Sequence, residues 1–247
     1  MTVTYDATPG TKVILEAGSI QGIEVGEEEK LVIFGRGDTA NGTAQTNDPT
    51  QVTSTGDAET KFGDDSHLTR ELKKAIGNGA NTSYLYGVAT ARQSVTDEAI
   101  AGGSGTLGNA PIVEDAAEIT VTNTTAAVDE TPVFRYDSPP STGDVAADEV
   151  AINPLTGEVE AGDADDYEVD YKYEDWSTAF DSADMVLNEG ESGVYIALSD
   201  TEPVASTLFS KATSLRDPDY KMVKAFAGAQ PNANSSESSA SVYALVS

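Results

Sequence analysis

The sequence predicts an α/β core, a sheet with flanking helices, interrupted by an inserted antiparallel β domain and preceded by an extended N-terminal arm. Three observations predict it. The run Leu31–Phe34 is apolar at every position, the pattern of a strand whose two faces are both covered. Leu68, Leu72, Ala75 and Ile76 fall at i, i+4, i+7 and i+8, one stripe of an amphipathic helix. Between about residues 106 and 175 the helical period vanishes and short alternating runs replace it; it returns after Trp176.

Residues 1–30 form the arm. Its one β-prone run, Lys12–Leu15, lies between Pro9-Gly10 and Gly18. A segment so thin in apolar residues builds no core of its own, so it is expected to lie on something else, such as another subunit. Residues 31–103 are the first part of the α/β core. After the strand Leu31–Phe34, a loop carrying Asn41-Gly42 and Asp48-Pro49 leads to Asp64, Asp65 and Ser66, which supply N-cap chemistry. The helix stops at Gly77-Asn78-Gly79, and TSYLYGVA (82–89) is the second strand. Residues 104–175 are the inserted β domain, with strand-like runs at 118–123, 132–137, 149–154 and 167–176 and turns at 137–144 and 153–158. Residues 176–247 are the second part of the core: a strand at 192–199, a helix at 202–217 with Pro203 in its first turn, and a strand at 220–228. NANSSESSAS (232–241) reads as a polar loop, and VYALVS as the beginning of one more strand.

Composition narrows the function. Asp and Glu number 42 against 14 Lys and Arg, a net charge of −28 spread along the whole chain. Such a surface repels free nucleic acid, which needs clustered cations. Its self-repulsion is relieved by salt, a device of proteins that work in concentrated brine. Cysteine is absent, so there are no disulfides, thiolate metal sites or cysteine nucleophiles. No apolar run reaches the roughly 18 residues of a membrane helix, and the first residues do not read as a signal peptide. The expectation is a protein assembled inside a cell, without membrane insertion.

Chemistry is sought and not found, and no catalytic, cofactor-binding or metal-ligating residue is singled out. Gly35-Arg36-Gly37-Asp38-Thr39-Ala40 satisfies the dinucleotide fingerprint G-x-G-x-x-G/A, but NGTAQTNDPTQVT follows where a helix should open. The same stretch contains Arg-Gly-Asp, short enough to arise by chance; the plainer reading is a turn leaving a buried strand. His67 is the sole histidine and sits beside capping residues, which points to an exposed surface role. The acids of 163–170 lack the bend glycine of an EF-hand loop and read as solvated surface. The chain is expected not to be an enzyme and to need no cofactor.

Several segments in order carry a resemblance: TPGTKVILE, a Pro-Gly arm; KLVIFGRGDTANGT, a strand ending in Gly; DPTQVTSTGDAETKFG, running from a proline to a Phe-Gly; and HLTRELKKAIGNGANTSYLYGV, a helix, an Asn-Gly turn and a strand. Together, residues 8–88 resemble the contractile tail sheath proteins of myovirus-like phages and related injection machines, which also insert β domains at this point of their core. Trp176–Phe226 then looks like the core resuming. Two features depart from the family pattern: Tyr86-Gly87 stands where members often place an arginine, and sheath subunits usually continue beyond a point like Ser247. The resemblance implies a structural virion protein of a haloarchaeal virus or injection device, located in the tail and assembled in the host cytoplasm. Its implied partners are identical subunits in a helical sheath, a tail tube protein and a baseplate. The alternatives are another tail or virion structural protein, such as a tube or baseplate component, or a halophilic surface-layer or adhesion module.

Overall fold

A computed structural model describes residues 3–8, 11–15, 29–38, 40–137, 139, 140, 146, 148–188, 190–199, 202–219 and 221–227. The expected strand beyond residue 241 and the polar loop 232–241 lie outside them. In the segment expected to be an arm, β1 (Val3–Thr8) pairs antiparallel with β2 (Thr11–Leu15), so the β-prone run has a partner within its own segment.

The chain then enters an α/β unit. β3 (Lys30–Gly35) is followed by β4 (Thr50–Gln51), α1 (Thr55–Phe62), α2 (His67–Gly77) and β5 (Leu85–Ala89). Helix α1 was not expected: Gly56 and two β-branched residues weaken its propensity. Its start is nonetheless a reciprocal cap. Ser54 accepts from the Asp57 amide at 3.1 Å, and Asp57 accepts from the Thr53 amide at 2.9 Å. Helix α2 is capped by Ser66, the nearest of the three expected residues, which accepts from the Thr69 amide.

A second sheet comes next: β6 (Ala91–Ile100), β7 (Ser104–Thr106), β8 (Thr120–Asn123), β9 (Val128–Phe134), β10 (Glu149–Ile152), β11 (Glu158–Ala161) and β12 (Tyr167–Asp175). Its order is β6-β12-β8-β9-β10-β11-β7, and it curls into a half-barrel. Two expectations are amended here. The sheet is mixed rather than purely antiparallel, because β9 and β10 run parallel, Glu149 opposite Thr131. Their long connection, residues 135–148, returns the chain to the start of its neighbour instead of reversing it in a tight turn. The sheet also begins at Ala91, inside the segment assigned to the core, since β6 pairs along its length with β12.

The first sheet then resumes with α3 (Trp176–Ser182), β13 (Ser192–Ala197), α4 (Glu202–Asp219) and β14 (Met222–Ala227). Its order is β14-β13-β3-β5-β4, parallel except for β4. The period of two sorts its side chains between two cores. Val32, Phe34, Val88, Tyr195 and Ala197 pack with α3 and α4 on one face. Leu31, Ile33, Leu85, Ala89, Val194 and Ile196 pack with α1 and α2 on the other. Both faces are covered, which is why these strands read as continuous apolar runs. Phe34 meets Phe180 edge-on at 4.9 Å between ring centroids and Tyr195 at 5.4 Å. The buried Tyr195 hydroxyl donates to the Ala183 carbonyl at 2.9 Å, so the ring brings no orphan polar group inside.

A third core, with Ile100, Val121, Val150, Ile152, Tyr167, Val169 and Tyr171, fills the half-barrel. Neither core of the first sheet draws a residue from 91–175, and the third draws none from outside that span. No helix among the described residues is long and apolar enough to cross a membrane.

Candidate functional site

Strands β3 and β5 run parallel and finish together, Gly35 opposite Ala89. From β5 the chain passes through Thr90 alone into β6, which brings Arg92 to the same place; its partner β12 brings Glu174, paired in register with Arg92. From β3 it continues through Arg36, Gly37 and Asp38, while the first turn of α2 supplies Ser66 and His67. These residues, with Thr46, line a cavity of about 540 Å³ at the seam of the two sheets. The location has a topological reason. The chain leaves β3 toward β5 on one side and returns to β13 on the other. In open α/β sheets, ligands bind outside the carboxyl ends of the strands at such a reversal.

One carboxylate organises the seam. Glu174 Oε1 accepts from Arg92 Nε at 3.1 Å and lies 3.3 Å from Arg36 Nε; its Oε2 accepts from the Thr90 hydroxyl at 2.8 Å. The Glu174 side chain is only 12 % exposed, against 55 % for Arg36 and 39 % for Arg92. The triad therefore ties the loop after β3 to the last residues of β12 and the first of β6 through charge-assisted contacts.

Most of the fingerprint residues lie on this wall, and several backbone donors of this loop are already engaged. The Asp38 amide donates to the Phe62 carbonyl at 2.8 Å and the Gly42 amide to the Asp38 carbonyl at 2.9 Å. The Ala40 and Asn41 amides donate to the Asp38 carboxylate. At the start of α2, the Leu68 amide donates to Arg36 O, and the Thr69 amide to the Ser66 hydroxyl. A pyrophosphate loop presents a row of free amides at a helix N-terminus, and here the Asp38, Ala40, Leu68 and Thr69 amides already have partners. The Arg-Gly-Asp ends are engaged as well, Arg36 with Glu174 and Asp38 with its own turn. The Asn41 side chain, donating through Nδ2 and first among the causes, holds the Asp38 carboxyl below the ordinary aspartate range.

His67 is exposed, as expected, yet stands on the cavity wall. The acids of 163–170 are hydrogen-bond acceptors for the half-barrel's loops. Asp163 accepts from the Tyr167 hydroxyl at 2.8 Å, Asp165 from Asn123 Nδ2 at 3.0 Å, and Asp166 from the Gly102 amide at 2.9 Å. Burial, then the Asp163 bond, pushes the Tyr167 hydroxyl well above the usual tyrosine range. Among the described residues no group of three His, Cys, Asp or Glu side chains is arranged to hold a metal ion.

No sequence pattern marks Arg92 and Glu174. The available signal was scarcity: the chain has five arginines, and two of them meet the sole histidine here. Compared with known proteins, the sequence matches no protein-family model and no curated protein.

Proposed function

We propose that the chain is a structural virion protein, a subunit of a contractile tail sheath that stacks helically around a tail tube and contracts during genome delivery. The observation that carries this reading is how the second sheet joins the first. Its first and last strands, β6 and β12, are antiparallel partners, with Ala91 opposite Asp175. The chain thus leaves the α/β unit and re-enters it at neighbouring points, and the two parts keep separate cores. An α/β unit bearing a β domain grafted at that position fits the element order that residues 8–88 share with sheath proteins.

The role is mechanical rather than catalytic. Head-to-tail contacts between identical subunits propagate a helix instead of closing a ring. The N-terminal arm supplies the link between subunits, by strand addition to a neighbour's sheet. Contraction is then a rigid-body rearrangement of linked subunits, with the tube protein inside and the baseplate at one end. The net charge of −28 suits a haloarchaeal host, where screening by brine offsets self-repulsion.

Electron microscopy of the native assembly tests the reading, with removal of residues 1–17 as the second arm. A striated, contractile outer layer is expected for the full chain. The truncated chain should keep its circular dichroism and melting temperature but form no tubes. A native assembly without such a layer, or truncated protein that assembles normally, overturns the proposal.

A further inference from the structure

The sheath reading assigns no role to the crevice at the carboxyl ends of β3 and β5, and its chemistry stands out in this molecule. Two arginines line it in a chain whose net charge is −28. They share one oxygen of one carboxylate, so Glu174 balances only one of the two guanidinium charges. The other acid on the wall, Asp38, is committed to its own turn, accepting from Asn41 Nδ2 at 2.8 Å and from the Ala40 and Asn41 amides. Both guanidinium groups approach Glu174 through Nε. A guanidinium carries five N–H donors in a planar fork, so the four on each terminal pair of nitrogens remain. Among the described residues, no protein acceptor is paired with them. His67 and Thr46 also face the crevice, with no hydrogen-bond partner for either side chain among the described residues.

We propose that this crevice binds a small molecule through an oxyanion group, a phosphate or a carboxylate, held between the forks of Arg36 and Arg92 with His67 at the rim. Glu174 is the positioning residue: it holds Arg92 by a hydrogen bond and Arg36 by an ion pair, each through Nε. Planar bidentate recognition of this kind is what arginine does better than lysine. The cavity, at about 540 Å³, lies within the range of small-molecule sites and leaves room for a body beyond the anionic head. Recognition through two arginine side chains sets the site apart from a dinucleotide loop. The inference is independent of the sheath reading.

Isothermal titration calorimetry on the full chain at moderate KCl tests it, with inorganic phosphate in one series and malonate in another. Saturable binding of at least one is expected, and the series that binds identifies the head group. Arg36→Gln should weaken that binding at least about tenfold, the loss of charge-assisted hydrogen bonds, and Arg36→Lys should fall between it and the parent. Arg36 is 55 % exposed, so these variants keep their fold, checked by an unchanged melting temperature. Arg70→Gln, on the exposed side of α2, should titrate like the parent. No saturable heat with either anion, or an Arg36→Gln protein that binds as tightly as the parent, overturns the proposal.

Discussion

Gly87→Ala tests the packing that holds the crevice in shape. Gly87 lies in the middle of β5, facing α1 and α2. A Cβ placed there falls 2.7 Å from Phe62 Cε2 and Cζ and 3.0 Å from Leu72 Cδ1. Carbon atoms rest at roughly 3.5–4.0 Å, so something must give by nearly an ångström. Phe62 is fully buried and ends α1, and its carbonyl accepts from the Asp38 amide at 2.8 Å. The next residue, Gly63, has φ +83° and sits so close to Asp38 that a Cβ on it would lie 2.7 Å from the Asp38 Cβ. The ring therefore cannot retreat without moving the loop that carries Arg36 and Asp38. Overpacking of this kind costs about 1–3 kcal/mol, and the pinned ring places Gly87→Ala near 2–3 kcal/mol. For a chain of this size that is a fall of roughly 4–12 °C in melting temperature. Phe62→Leu alone should also destabilise, since it removes buried ring atoms, yet it opens the space the new methyl needs. The double variant should accordingly be less destabilised than the sum of the two by about 1 kcal/mol or more. Thermal and urea denaturation at one fixed KCl concentration measure all four proteins. A Gly87→Ala protein within about 0.5 kcal/mol of the parent, or strict additivity with Phe62→Leu, refutes the reasoning.

Three further outcomes are expected. With a net charge of −28, the melting temperature should rise from 0.1 to 3 M KCl as the Debye length shortens from about 10 Å toward 3 Å and below; a level or falling midpoint contradicts the halophilic reading. The Glu191 carboxyl is held down to about 2, first by the Asn188 amide at 2.9 Å and then by Lys30 at 2.6 Å. A depressed carboxyl stabilises the fold above its ordinary value of 4.5, and that contribution is lost as pH falls through about 2. Glu191→Gln should thus melt below the parent at pH 7, with the gap closing between pH 4.5 and 2; a gap that stays constant across this range rules out the assigned cause. Finally, replacing residues 91–175 by a short Gly-Ser linker should leave the α/β unit folded, because paired residues such as Ala91 and Asp175 sit about 5 Å apart and neither α/β core uses the excised span. Loss of the cooperative thermal transition in the excised protein would show that the cores depend on one another.

The sequence by itself determined the elements whose signals are local. Leu31–Phe34 is apolar at every position because both faces of its sheet are covered, and the stripe from Leu68 to Ile76 with Ser66 before it marks α2 without any tertiary knowledge. The change of period near residue 106 and its return at Trp176 marked the existence of a second sheet, since side-chain period is a property of the single strand. Its limits and pairing were decided elsewhere. Ala91–Ile100 is a polar, largely exposed strand, and what makes it one is the ladder to Tyr167–Asp175, some seventy residues or more along the chain. The parallel pairing of β9 and β10 depends on where a long connection sets the chain down, which no local pattern encodes. Helix α1 was half legible: Ser54 and Asp57 are a capping pair, but its weak helix formers hold together only because Ala58 and Phe62 are buried against the sheet. The crevice belonged to tertiary structure almost entirely. Arg36, Arg92 and Glu174 are ordinary charged residues in three distant segments, and their role begins when β5 runs on into β6 and β12 returns beside it. Electrostatic work depends on distances of a few ångströms, and the fold alone sets those distances.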